Sequence, residues 1–531
     1  MPVHLRALVV ILFLATVMFA LAKSPACAIA CTPRDFERRR NLWLAIVLTA
    51  FLAHNFWIFI IVTATMLLFV VPRESNKLAL YFFILLVVPP FAQKITGLGV
   101  INHFFEINYL RLLALAVLFP AFLELRKEKD TAPLGRSMPD KLILGFLILN
   151  FCLTFTVSSF TNTLRVGLFY GFIDIFLPYY VASRSLKNIQ GFRDALMAFG
   201  IAALLIGSIG IFEASRHWLL YASLDDAMGF DWSYASYLER EGAGLRAQGS
   251  TGQPIILGYV MAVAFGFFFF LKKTVPNTTI WLMGLVAIVS GMISPLSRGP
   301  WVGAGIILLL FIATGRYPIR RLMQVGFLLG MGGIALLATP YSDKIIDLLP
   351  FAGNIEVENV TYRQQLLDIG IQVIQQNPFF GAYNFFLSEE AQALKQGNGM
   401  IDLVNTYLAV GLSNGLVGLF LYAGFFISIV ASIFRAMRTL PDKDSEIHIL
   451  GQTLLSTLLG ILVIIFTVSS ILAIPVITWS VAGLGAAYAH MLASSKTARM
   501  ESKPENITAL SRQSEIIKGR GARTIGIKGI P

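Results

Sequence analysis

The chain has 531 residues, 56% of them hydrophobic and only 14% charged, with a mean hydropathy of +0.72. A soluble chain of that length needs far more charge to cover its surface, so the composition excludes a soluble globular protein and points to a polytopic membrane protein. The net charge of +12 does not argue for a nucleic-acid partner, because excess Lys and Arg is what cytoplasmic loops of membrane proteins carry.

The apolar runs are continuous rather than alternating, which predicts helical spans and not a β-barrel. Leu5 to Leu21 reads as a signal peptide, a first span or an extension upstream of the true start. The basic cluster Arg34, Arg38, Arg39 and Arg40 follows and reads as cytoplasmic. Leu42 to Val71 is longer than a span of about 20 residues needs and is interrupted by His54-Asn55, so two helices turning there are predicted. His54 reads as a turn residue. Further spans are expected at 78–92, 109–125, 141–158, 166–183, 195–213, 254–271, 279–295, 299–314, 323–338, 413–434, 448–468 and 471–492.

The connections between these spans alternate in charge. One set carries Arg73 and Lys77, then Arg126 to Lys141, Arg184 to Arg193, Lys272 and Lys273, Arg316 to Arg321, and Arg435 to Lys443. The other set, 93–108, 159–165, 215–253, 296–298, 339–412 and 469–470, is near-neutral or acidic. The positive-inside rule then gives an all-α protein of about fourteen transmembrane helices, fifteen if Leu5–Leu21 counts, with both ends cytoplasmic. The expected organisation is an N-terminal segment 1–40, a transmembrane domain 41–493 with outer loops 215–253 and 339–412, and a disordered basic tail 494–531. Within the larger loop, apolar residues at 366, 367, 370, 371 and 374 predict an amphipathic helix on or near the membrane surface, stopped by Asn377-Pro378.

Arg246, Arg298 and Arg363 lie in the outer connections, where the rule disfavours positive charge. The plainer reading pairs them with acids such as Glu239 or Asp343. The functional reading is an anion site: a guanidinium is a planar, permanent charge suited to phosphate oxygens, and Gly249, Gly252 and Gly299 permit close backbone approach. Helices starting near Pro254 and Trp301 add N–H groups that favour an anion. Two acids fall within spans, Asp174 and Glu213. Asp174 is the hook for a proton-coupled transporter, against a structural acid. Cys27, Cys31 and Cys152 have no metal or disulfide spacing, and no P-loop or dinucleotide-binding glycine motif occurs. The sequence therefore gives no cue for a cofactor, a metal or ATP-driven transport.

Four blocks resemble the O-antigen ligase/polymerase superfamily of bacterial inner-membrane proteins, in particular its exopolysaccharide-polymerase branch. They are Leu245 to Pro254, Ser297-Arg298-Gly299, Tyr362-Arg363 through Asn377-Pro378-Phe379-Phe380-Gly381, and Asn405-Thr406-Tyr407-Leu408 through Gly415 to Gly418. The resemblance implies a metal-independent, membrane-embedded glycosyltransferase of the C type. Its donor would be a glycan on undecaprenyl pyrophosphate, its site would face the periplasm, and a flippase and a chain-length regulator would be its partners. It places Arg246 and Arg298 on the pyrophosphate, with Arg363 and Asn405 beside the substrate. Ligases of the family carry a catalytic His where this chain has Val404, which favours a polymerase over a lipid A-core ligase. Asp402 is the nearest carboxylate; it reads either as the base that takes the acceptor proton or as an N-cap. The alternatives are an O-antigen or protein O-oligosaccharide ligase and, from another class, a polysaccharide or lipid-linked sugar transporter.

Overall fold

The computed structural model describes residues 1–97, 103–229, 239–240, 244–275, 277–337, 339, 357–392, 395 and 401–501. The helices in chain order begin with α1 (Val3–Ile29), α2 (Pro33–Leu52), α3 (Phe56–Val70) and α4 (Lys77–Ile84). A hairpin of β1 (Ala92–Thr96) and β2 (His103–Asn108) follows, then α5 (Tyr109–Leu113) and α6 (Phe119–Lys127), joined through a π-helical turn. Next come α7 (Met138–Val157), α8 (Phe160–Asn162) running through a π-helix into α9 (Leu177–Ser185), α10 (Ile189–Arg216) and α11 (Ser223–Met228). A two-residue pair, β3 (Glu239–Arg240) and β4 (Gly244–Leu245), precedes α12 (Pro254–Thr274), α13 (Thr278–Ile293), α14 (Arg298–Ala313) and α15 (Pro318–Leu337). The chain closes with α16 (Val357–Gln376), α17 (Glu389–Gln392), α18 (Thr406–Arg438), α19 (Glu446–Ile464) and α20 (Ala473–Glu501). Asp343 and residues 502–531 of the expected tail lie outside the described residues.

The fold is mostly helical rather than all-α, because the two hairpins interrupt it. Among the described residues nine helices are long and apolar enough to cross a membrane, and α13 and α14 are shorter apolar helices. The expectation of about fourteen takes every apolar run as a span, including runs shorter than a bilayer crossing needs. The run 78–92 shows the difference: α4 ends at Ile84, yet every residue from Leu78 to Pro90 is buried. Non-helical backbone of this kind is tolerated at membrane depth where protein surrounds it.

The turn at His54-Asn55 is present. Asn55 caps α3, its side chain accepting from Trp57 N and Ile58 N, and His54 takes a φ of +46°. Helix α1 is part of the bundle, burying Ala7, Leu8, Ile11, Ala15 and Phe19. The expected basic cluster is the first two turns of α2, and Arg39 there is 2% exposed. Its guanidinium bridges Glu74 (Nη2–Oε1, 2.6 Å) and Asp194 (Nη1–Oδ1, 2.5 Å). Arg184–Asp140, Arg193–Glu446, Lys187–Glu128 and Arg316–Asp444 join neighbouring connections of the same set. The basic connections thus gather at one end of the bundle, and the near-neutral ones meet one another at the opposite end.

At that opposite end α16 lies over the start of α18. Leu366 and Val373 bury themselves against Leu408 and Leu412, whereas Leu367 and Ile371 point outward at 45% and 44% exposure. The expected surface helix therefore spends half its apolar stripe on protein. The breaker at Asn377-Pro378 does more than stop it. The loop 377–381 inserts into a break in α18 at Gly415 (φ +64°, ψ −167°). Leu416 N donates to Pro378 O at 2.8 Å, Val417 N to Phe379 O at 3.1 Å and Ala382 N to Leu412 O at 2.7 Å. These bonds supply the partners that a broken helix would otherwise lack. A Cβ on Gly415 would sit 2.4 Å from the Phe379 carbonyl carbon, so only glycine fits.

Candidate functional site

The loop that carries Arg246 is folded by a buried carboxylate. Glu213, fully buried in the last turns of α10, accepts Gln248 N (2.9 Å) and Gly249 N (2.8 Å) on Oε2 and Leu220 N (3.0 Å) on Oε1. Three backbone donors satisfy a charge that would be costly to bury alone. Gly249 takes a φ of +53° and backs onto Ile206, whose Cγ1 would be 2.8 Å from an added Cβ. Ser250 Oγ donates to Leu86 O, and Tyr221 OH to Val87 O at 3.1 Å, so the loop rests on the non-helical stretch after α4.

The same loop reaches the turn between α13 and α14. Ala247 N donates to Ser294 O at 3.2 Å, Arg246 Nε to Pro295 O at 3.2 Å and Arg246 Nη2 to Ser297 Oγ at 3.1 Å. Ser297 is the cap residue of α14 and Arg298 its first residue. Both arginines are half-buried. The Arg246 side chain therefore reaches the tight turn from which Arg298 starts α14, at a helix N-terminus where the dipole adds positive potential. Gly299 lies against the next segment: a Cβ there would meet Thr467 Oγ1 at 2.7 Å.

Residues 465–469, between α19 and α20, are the hub that ties in the remaining blocks. Thr406 N donates to Ile465 O at 3.0 Å, and Thr406 Oγ1 to Val468 O at 2.9 Å. Ser469 Oγ lies 2.9 Å from both Asp402 Oδ1 and Leu403 O. Asp402 is exposed and is not a cap. That role belongs to Asn405, whose Oδ1 accepts Tyr407 N (2.9 Å) and Leu408 N (3.2 Å) at the start of α18. The capping alternative for Asp402 is corrected accordingly, and Asn405 has a structural task in addition to any contact with substrate. Tyr362 OH accepts Asp402 N and donates to Asp402 O, both at 3.1 Å, and burial pushes its phenol above the usual value. Arg363, the next residue, is exposed on α16. Val404 packs with the apolar cluster under α16, which leaves that position without titratable chemistry.

The four blocks, separated in sequence, thus form one connected assembly: Arg246 to Ser297, Gly299 to Thr467, Ser469 to Asp402, and Asp402 to Tyr362. Sequence reasoning missed the hub, because Thr467 and Ser469 look like the polar end of an apolar run. It also missed Glu213 as organiser of the loop, and His217, the left-handed cap of α10 (φ +52°), whose Nε2 would lie 3.0 Å from a Cβ on Gly244. Asp174 belongs elsewhere. Arg111 holds it, with Nη2 to Oδ2 at 3.0 Å, while stacking over the Tyr170 ring at 3.6 Å, which is the structural-acid arrangement.

Residues 283–423 match the model of a family described as O-Antigen ligase. The match takes in Arg298, Arg363, Asp402 and Asn405 but stops short of Arg246, and it covers less than half of the chain. A search of curated proteins gives no match.

Proposed function

We propose that this protein polymerises exopolysaccharide or O-antigen repeat units in the bacterial inner membrane, by glycosyl transfer from an undecaprenyl-pyrophosphate-linked donor at the periplasmic face. An O-antigen ligase domain implies ligase- or polymerase-type transfer of lipid-linked glycans by a multi-pass membrane protein. The observation that supports the reading is that the Arg246 side chain is bonded to Ser297, the cap residue directly before Arg298, which brings a permanent cation to a helix N-terminus. The segregation of basic and near-neutral connections to opposite ends supports placing the arginine end outside.

In this reaction the hydroxyl oxygen of the acceptor repeat bonds to the anomeric carbon of the donor glycan as the bond to the pyrophosphate oxygen breaks. Arg246 and Arg298 stabilise the charge that grows on the departing pyrophosphate, an effect worth about 3–4 kcal/mol per well-placed donor. Asp402, exposed beside Ser469, takes the hydroxyl proton. Arg363 and Asn405 border the glycan, and the pyrophosphate linkage supplies the driving force without ATP. A flippase would deliver the donor and a chain-length regulator would set the product.

Transfer of a glycan onto lipid or protein by a ligase is the second reading, favoured by the matched family's description. The apolar setting of Val404 favours the polymerase. The transporter reading loses its main hook, since Asp174 is paired with Arg111. Product size in membranes separates these. A polymerase gives a ladder of lengths that Arg246→Ala and Arg298→Ala abolish at normal protein levels; a ligase gives one transfer. A ladder that survives both substitutions rejects the assignment.

A further inference from the structure

Away from the arginine turn, a groove of about 670 Å³ opens on the side of the bundle between β2 and the π-helix Thr163–Phe176. That volume falls in the range of small-molecule sites. Its walls are apolar, with Phe105 and Phe169 packed at 4.7 Å between ring centroids. Leu168 and Phe104 stand 55% and 43% exposed, so the groove opens to the exterior at the level of a membrane span. Its polar residues lie at one end. Thr161 and Arg165 are in the first turns of the span, Leu168 and Phe172 one and two turns deeper.

Arg165 is fixed at that end. Nη1 donates to His103 O at 3.0 Å and Nη2 to Asn162 Oδ1 at 2.6 Å, which uses two of the five N–H donors of a guanidinium. Lys94, on the paired strand, and Arg165 both act on His103, with Glu106 as the acid beside them. The polar end is therefore cationic above an apolar slot, which is charge complementarity for a phosphate carrying a hydrocarbon chain. The wall is π-helical, a rare conformation frequent at functional sites.

We propose that this groove binds an anionic phospholipid of the surrounding bilayer, its phosphate on Arg165 and an acyl chain along Leu164, Leu168 and Phe172. The lipid-linked donor is the less fitting occupant. The π-helix packs on α7, with Gly167 against Phe151, and α7 packs on α18 through Asn150 and Asn414, so α7 stands between the groove and α18.

The test uses the full chain in nanodiscs of phosphatidylcholine doped with phosphatidylglycerol, counting retained lipids by native mass spectrometry. Wild type should retain phosphatidylglycerol preferentially. Arg165→Gln should lower that retention about fivefold, the effect of removing one cation from an anionic headgroup, and leave phosphatidylcholine unchanged. Leu168→Trp, which fills the slot from an exposed position without touching the Arg165 bonds, should lower it too. Equal phosphatidylglycerol retention in wild type and both variants overturns the proposal. Displacement of phosphatidylglycerol from wild type by added polyprenyl phosphate also overturns it, by assigning the groove to a lipid-linked substrate. Neither readout depends on glycosyl transfer.

Discussion

Glu213→Gln is the sharpest perturbation of the arginine turn that leaves both arginines in place. The carboxylate accepts from three backbone N–H groups, two on Oε2 and one on Oε1. An amide of the same shape has one acceptor and one donor. With NH2 toward Leu220 one buried N–H loses its partner; with NH2 toward the loop two do. The lesser choice costs about 1–3 kcal/mol for one unmatched buried donor. The two remaining bonds lose charge assistance, which roughly doubles such bonds. Gln248 and Gly249 are held directly, so the strain is released through Arg246, two residues away. If about 1.4 kcal/mol of it reaches the donor site, the donor KM rises about tenfold. The assay is the initial rate of chain extension against the concentration of lipid-linked donor. A raised KM together with a lowered kcat is expected, because Arg246 holds the pyrophosphate in the ground state and stabilises its growing charge in the transition state. An unchanged KM would refute the reasoning, since Gln mimics a protonated carboxyl and Glu213 would then not act as a charged acceptor.

Gly415→Ala places a Cβ 2.4 Å from the Phe379 carbonyl carbon at a φ of +64°, and should cost more than about 2 kcal/mol, read as a lower unfolding temperature in detergent. An unchanged midpoint would show that the 377–381 insertion is not a fixed feature. Arg39→Ala strands Glu74 and Asp194 and should destabilise by about 3–5 kcal/mol in the same assay, whereas loss of the exposed Arg316–Asp444 pair should not be measurable. Asp402→Asn should lower kcat about 100-fold at unchanged donor KM, while His217→Gln stays within about twofold. The reverse ranking would move the base to His217.

Much of this was legible in the residues. His54-Asn55 announces a turn because two polar side chains in an apolar run have no other place, and Asn55 then caps α3. The spacing 366, 367, 370, 371 and 374 is helical whatever it packs on, so α16 was predictable while its partner was not. The run 78–92 misled because apolar residues buried by protein and by lipid look alike. Pro89-Pro90 is a local sign that no helix runs on to residue 92, but nothing local places its end at Ile84 or marks the hairpin that follows. Bonds such as Glu213 to Gln248 and Ser469 to Asp402 join residues 35 and 67 positions apart, contacts that one sequence cannot display. Arginines in near-neutral loops were visible as anomalies; that Arg246 is bonded to the turn that carries Arg298 was not.

The most direct test of the central claim uses purified protein in liposomes supplied only with undecaprenyl-pyrophosphate-linked repeat units. Undecaprenyl pyrophosphate should be released in step with lengthening glycan, without ATP or metal, and both should be lost in Arg246→Ala and Arg298→Ala proteins that remain folded. Movement of lipid-linked sugar across the bilayer with no release and no lengthening would contradict it.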